Sequence, residues 1–328
     1  MVQQRNLSID LIKTIAMLSV ICLHTTYQYI QPNTFGLADI LYKSAVISIP
    51  LFFMVSGYLL LGRENLSYKY SLSKILKIVR FVFFITLSYW IIHSLISHNF
   101  EVKDFFKIFL GSFIQRRSFG IFWYLGAMII IYSILPLINK LYKNSMISFA
   151  VLVMVCFLCS TSIFLQNVTN WGEEASICQT FRLYNWLFYF CIGGVIKRIP
   201  ITPTRIIFIF SAILFIINIV IQEWLIPYIG NEFCEYFYSS PYVMLLSICL
   251  FILVLHSKFK CEKLIKLLSN LFLPVYTFHM FIIKYITPYF NFGIFIDPLI
   301  SWMVVSLITI LLSSIIIKTP VIKDIFKL

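Results

Sequence analysis

The chain has 328 residues, of which 60% are hydrophobic, 18% aromatic and only 12% charged, and its mean hydropathy is +0.92. That balance excludes a water-soluble domain, in which about a quarter of residues are charged, and marks a polytopic membrane protein. The net charge of +13 does not point to nucleic acid, because basic residues of a multi-span chain collect in its cytoplasmic loops.

Lipid offers the backbone no hydrogen-bond partners, and the short alternating segments of a β-barrel are missing, so the spans are predicted to be α-helices. The expected fold is all-α with ten transmembrane helices, at 11–29, 40–61, 78–97, 121–138, 146–166, 183–196, 206–222, 241–256, 268–287 and 299–317. The sixth is short and polar. The first lacks a small-residue cleavage site and reads as a retained span. No repeat and no soluble domain is evident, so 1–328 reads as a single membrane domain.

The N-terminus, the loops after even-numbered spans and the C-terminus hold 19 of the 26 Lys and Arg, counting Lys13 and Arg80 at their rims. This places both termini in the cytoplasm. The outer loops, at 98–120, 167–181 and 222–240, hold most of the acids, including Glu173, Glu174, Glu223, Glu232 and Glu235. The stretch "QEWLIPYIGNEFCEYFYSS" reads as interfacial anchoring or as a surface for stacking sugars. Cys156 and Cys159 sit in an apolar run and read as filler, while Cys178 and Cys234 are candidates for a disulfide. No metal site is expected.

Two ionisable residues interrupt the first span. Lys13 and His24 are eleven residues apart, a separation that returns to the same helical face after about 16 Å of rise. Asp10, one turn before Lys13, can pair with it. Lys13 reads either as a snorkelling anchor or as the mouth of a functional face. His24 lies deeper, where an unpaired polar group costs several kcal/mol, so it is either packing glue or a working group. His279, in "LPVYTFHMF", falls at the same depth in the ninth span. Two histidines at one level suggest acid–base chemistry or a proton path. His93, His98 and His256 fall at span ends and read as solvated. In the second span Pro50 is a candidate kink, and Ser56 with Gly57 permits close helix approach. Lys74, Lys77 and Arg80 recur every three residues as a cationic face, for anionic lipid or for the phosphates of a soluble cofactor.

Lys13, ten intervening residues and His24 resemble the (R/K)-x10-H signature of the membrane-bound acyltransferase 3 family. The ordered blocks "HTTYQY", "IPLFFMVSGYLL", "FWYLGAMIIIYSILPLI", "FYFCIGGVIKR" and "PVYTFHMFII" are similar to its branch of enterobacterial common antigen O-acetyltransferases. The resemblance implies a multi-pass enzyme of the bacterial cytoplasmic membrane. Such an enzyme carries an acyl group, usually acetyl, from cytoplasmic acetyl-CoA to a hydroxyl of a cell-surface polysaccharide or its undecaprenyl-linked precursor. It further implies that His24 is the essential histidine, acting as base, that Lys13 is its basic partner, and that Lys77 and Arg80, beside Lys74, meet the CoA phosphates. His279 matches too and is placed with His24 and Lys13 as catalytic, while Ser56, Asp10, Trp123 and Tyr124 fall in or beside the matching blocks as supporting residues. Lysine at 13 departs from the commoner arginine and cannot form a bidentate fork. The rival reading is a transporter of a lipid-linked sugar or small acid with the histidines as proton relay, against which the chain shows no inverted repeat.

Overall fold

The computed structural model describes residues 5–31, 34–169, 177–199, 201–229, 233–289, 297–319 and 324–326. Those residues are helical almost throughout, and the only β-type pairing among them is the isolated bridge between Gln31 and Thr34. Asn6 starts the first helix, α1 (Leu7–Thr26), because its side-chain oxygen accepts from the Ser8 and Ile9 amides, satisfying donors that an unopened helix leaves free.

The second predicted span is broken in two. Helix α2 (Leu37–Ser44) gives way to a 3-10 turn at Ala45–Ile47 before α3 (Ser48–Leu60). Pro50 lacks an amide hydrogen and its ring crowds the carbonyl four residues earlier, so the chain tightens there. The remaining helices are α4 (Tyr68–Ser97), α5 (Val102–Ser112), α6 (Trp123–Asn144), α7 (Met146–Val168), α8 (Leu183–Arg198), α9 (Arg205–Ile229), α10 (Pro241–Leu255), α11 (Glu262–Asn270), α12 (Phe272–Ile286) and α13 (Asp297–Ile316).

Each expected span has a helical counterpart, of which a smaller number meets the length and hydropathy of a full membrane crossing. Among the described residues seven segments are long and apolar enough, namely Leu7–Tyr29, Leu37–Leu60, Tyr68–Ser97, Gly120–Asn144, Met146–Val168, Arg205–Ile226 and Asp297–Ile316, with an eighth if the bent pair α11 and α12 is one span. Helices α8 and α10, the counterparts of the sixth and eighth expected spans, are shorter, with 16 and 15 residues, or about 22–24 Å against a hydrocarbon core of about 30 Å. The ninth predicted span begins too early, since residues 262–270 form α11, bent by 68° from the helix that follows. The expected loop at 98–120 contains α5, whose Phe105 and Phe109 pack edge-on against Phe83 of α4.

Two compact units emerge. The first comprises residues 1–59, 160–172 and 189–319, the second 60–159, 173–188 and 320–328. In the first, α1 is the hub, touched by α2, α10, α11, α12 and α13. Its threonine hydroxyls are satisfied within the helix, Thr14 Oγ1 donating to the Asp10 carbonyl at 2.9 Å, Thr25 Oγ1 to that of Ile21 at 2.6 Å and Thr26 Oγ1 to that of Cys22 at 2.8 Å, as polar side chains in an apolar setting require. Helices α3 and α8 cross at glycine. A Cβ on Gly57 would lie 1.7 Å from the Phe190 carbonyl oxygen, and one on Gly193 1.9 Å from that of Met54, so backbone meets backbone as small residues in membrane helices allow. In the second unit α4 packs on α5 and α6, and Asn139 ties the α3–α4 turn by accepting from the Gly62 amide and donating to the Arg63 carbonyl.

His93 and His98 are exposed at the end of α4, and His256 caps α10, its Nδ1 3.0 Å from the Ile252 carbonyl. Cys156 is buried, Cys159 exposed, and both are free thiols. Cys178 is also free. The side chain of its candidate partner, Cys234, lies outside the described residues, as do Glu173, Glu174 and Glu232.

Candidate active site

One stripe of α1 organises the first unit. Residues 9, 10 and 13, then 17, 20 and 21, then 24 step by three or four and share a face. At the N-terminal end, Ile9, Asp10 and Lys13 line a water-accessible cavity of about 270 Å³ with Arg5, Asn6, Tyr58, Leu59 and Lys197. Midway, Met17, Val20 and Ile21 line a crevice with Phe52 of α3 and Phe272, Val275, Tyr276 and His279 of α12. It has no space for a water-sized sphere, and the Phe52 and Phe272 rings meet across it, 4.5 Å between centroids. Beyond it stands His24.

The imidazoles of His24 and His279 are 5.3 Å apart between centroids, with their planes inclined by 39°. The common depth inferred from residue spacing is therefore a contact. His279 is fully buried, and its Nδ1 lies 2.8 Å from the Tyr276 carbonyl and 3.2 Å from that of Val275. Carbonyls only accept, so Nδ1 carries the proton and Nε2 of the neutral ring presents a lone pair. That Nε2 is buried without a hydrogen-bond partner. Among the described residues neither ring is bonded to a carboxylate. The pair is thus a base held in an apolar wall, its tautomer fixed by the helix backbone, and such a group can accept a proton from a hydroxyl brought beside it.

The other expected residues fall in different places. Asp10 is buried, paired with the Arg5 guanidinium, and accepts from the Ser269 hydroxyl at 2.7 Å, while Lys13 Nζ is 4.0 Å away. Ser56 Oγ donates to the Phe52 carbonyl at 3.0 Å, anchoring its own helix. Lys77 and Arg80 line a groove of about 390 Å³ along one face of α4 with Lys69, Leu72, Ser73 and Leu76. Lys74 instead turns over the Tyr70 ring, 6.0 Å from its centroid. Trp123 and Tyr124 open α6 in the second unit, where Trp123 packs 5.1 Å from Trp186. Neither they nor the basic groove belongs to the unit that holds the histidines. No group of three metal-ligating side chains converges among the described residues.

Sequence reasoning missed three charged side chains of the first unit. Arg5 and Lys197 counted only as cytoplasmic charge, yet both line the Lys13 cavity. Lys43, 2% exposed, is bound by Asp39 at 3.1 Å and by Glu223, while Asn218 Nδ2 donates to its carbonyl at 2.9 Å. Asp39 and Lys43, four residues apart, are an available helical pair signal; Glu223, 180 residues on, is not.

Comparison with known proteins adds the following. The model of the acyltransferase 3 family, described as an acyltransferase domain, matches residues 6–318. A curated protein of Enterococcus faecalis, named an amino-acid racemase, is 23% identical over 301 residues. The match takes in 84% of this chain but 40% of that protein, so the chain spans well under half the length of its relative. No solved structure matches.

Proposed function

Because the chain belongs to the acyltransferase 3 family, we propose that it transfers an acyl group, most simply acetyl, from acyl-CoA to a hydroxyl of a cell-surface polysaccharide or its lipid-linked precursor. The contact between His24 and His279, with one tautomer fixed, carries the reading. A sugar hydroxyl is a weak nucleophile, and a histidine within hydrogen-bond reach takes its proton as the oxygen attacks the thioester carbonyl. The carbon–sulfur bond breaks, the ester forms, and the CoA thiolate leaves and is protonated to the free thiol. His24 is the base in this scheme. His279, with Nδ1 held by two carbonyls, is a positioning residue whose Nε2 can accept from the protonated partner.

The enzyme works from the cytoplasmic membrane of a bacterium, with the acyl donor entering at the N-terminal end of α1. Lys77 and Arg80, in the second unit, keep their expected role as a cationic surface for phosphates at the α4 groove. The racemase name of the relative is not extended to this chain, which matches a minority of that protein. The test is radiolabelled acetyl-CoA supplied to vesicles holding the purified protein and surface glycan. Labelled glycan and free CoA are expected, and His24→Ala abolishes both while the protein still inserts. Label carried across the membrane without ester formation supports the transporter, and full activity in His24→Ala refutes the base.

A further inference from the structure

The end of α1 opposite Lys13 carries a group of side chains that the histidine pair does not use. Tyr27, three residues past His24, stacks on Phe233 at 5.1 Å between centroids and leans on the buried Tyr42 of α2 at 5.5 Å. Phe35, two residues before α2, lies beneath Lys43 Nζ, 5.4 Å from the ring centroid. These rings are open to their surroundings: Tyr27 is 38%, Phe233 42% and Phe35 53% exposed.

A fixed carboxylate stands beside them. Lys43, buried, binds both Asp39 and Glu223, and the Asn218 and Gln222 amides of α9 donate to the Lys43 carbonyl. Helix α9 is thereby locked to α2, and Glu223 is set in place with it. Asp39 turns its second oxygen to the Gly36 amide at 3.0 Å and is buried. The Glu223 side chain is 47% exposed. Lys43 engages its Oε2, and Oε1 is left to accept from an incoming hydroxyl. Two carboxylates and one ammonium give this triad one net negative charge.

Open ring faces next to a pinned carboxylate match the two sides of a pyranose. Its C–H face is apolar and packs on aromatic carbon, and its rim of hydroxyls donates to carboxylate oxygens. A lipid acyl chain would use the rings but leave the carboxylate facing hydrocarbon, which is costly. A uronic acid would bring like charges together, which electrostatic complementarity opposes. Tyr27 lies about 4.5 Å beyond His24 along the helix axis, so a sugar resting on its ring has a hydroxyl within reach of the imidazole.

We propose that Tyr27, Phe35, Phe233 and Glu223 form a sugar-binding platform for the acceptor, and that it takes neutral or amino sugars in preference to uronic acids. The inference rests on the acyl-transfer reading and narrows the acceptor within it. Glu223 sets specificity and takes no part in the chemical step.

The full chain in nanodiscs of zwitterionic lipid is titrated with tetrasaccharides of N-acetylglucosamine, of glucosamine and of galacturonic acid, binding being read by calorimetry. The first two are expected to bind, and the galacturonate at least about tenfold more weakly. Phe35→Leu and Tyr27→Leu keep apolar surface but remove a ring, and each should weaken binding of the N-acetylglucosamine tetramer about threefold to tenfold, the worth of an aromatic contact. Tyr27→Phe keeps the ring and should keep the binding. Glu223→Gln retains an oxygen acceptor without the charge and should raise galacturonate affinity about tenfold. Unchanged melting temperatures show that the variants fold. Undiminished binding in both leucine variants assigns the rings to membrane anchoring and overturns the platform. Galacturonate binding as tight as that of the neutral tetramer, or binding of none of the three, overturns it as well. In turnover with acetyl-CoA, Phe35→Leu should raise KM for the glycan while KM for the donor holds. Because sugar binding is read without a donor, a chain that binds these sugars but transfers no acyl group refutes the proposed reaction alone. A chain that transfers acyl groups with the same glycan KM in both leucine variants refutes the platform alone.

Discussion

Gly193→Ala tests the crossing of α3 and α8. The new Cβ would sit 1.9 Å from the Met54 carbonyl oxygen, 2.7 Å from its carbon and 2.9 Å from its Cα. Carbon–oxygen contacts settle at about 3.3 Å or more, so the two backbones must separate by about 1.4 Å. Neither side can yield by a rotamer change, which puts the cost at the upper end of overpacking, about 3 kcal/mol. Gly36→Ala is the control: it meets nothing within 4 Å and should cost no more than about 1 kcal/mol, the order of an N-cap change. Tyr58 follows Gly57 and Lys197 lies four residues after Gly193, so separation also moves two walls of the cationic cavity. Thermal unfolding in detergent, followed by tryptophan fluorescence, should show Gly193→Ala melting at least about 5 °C below Gly36→Ala. Equal melting temperatures would refute backbone contact at this crossing.

Other outcomes follow from the same geometry. Lys43→Ala strands the buried Asp39 carboxylate and should destabilise by about 3–5 kcal/mol, measured by the same unfolding assay; a double-mutant cycle with Asp39→Ala should recover part of the loss. His279→Gln removes the fixed Nε2 lone pair and should lower kcat by about tenfold or more, within the range of lost acid–base assistance, while KM for the acyl donor holds; a change in KM alone would assign His279 to binding. Phe52→Ala opens the closed crevice beside Met17 and Phe272 and should raise CoA release in the absence of acceptor, read with a thiol reagent.

Helix class and the shared face of Lys13 and His24 on α1 were legible because both rest on short-range regularities. A span needs only a long apolar run, and the alignment of Lys13 with His24 needs only the helical repeat. His279 was placed by counting residues into its span, and Gly57 by its lack of a side chain. Helices α5 and α11 were not legible, since eleven and nine residues with charges resemble loops to any hydropathy window. The membership of Arg5, Lys13 and Lys197 in one cavity was hidden for another reason: it depends on which helix ends become neighbours, and both unforeseen residues also fit the bias toward cytoplasmic positive charge. The Lys43–Glu223 bond is of the same kind, as is the assignment of Lys77 and Arg80 to a unit without the histidines. Sequence distance carries no record of such pairings.

The uninterrupted α1 between Lys13 and His24 has the character of a measuring rod. No proline or glycine lies between them, so their separation is set at about 16 Å by helical rise alone and cannot be adjusted by a hinge within that stretch. Under the proposed reaction, a carrier held by its charged end at Lys13 would deliver its reactive carbonyl to His24 only if its arm had that reach. In that scheme discrimination among donors would begin with length, before any side chain reads the acyl group itself. One residue inserted into this stretch would lengthen the rod by only about 1.5 Å but turn the histidine about 100° away from its lysine.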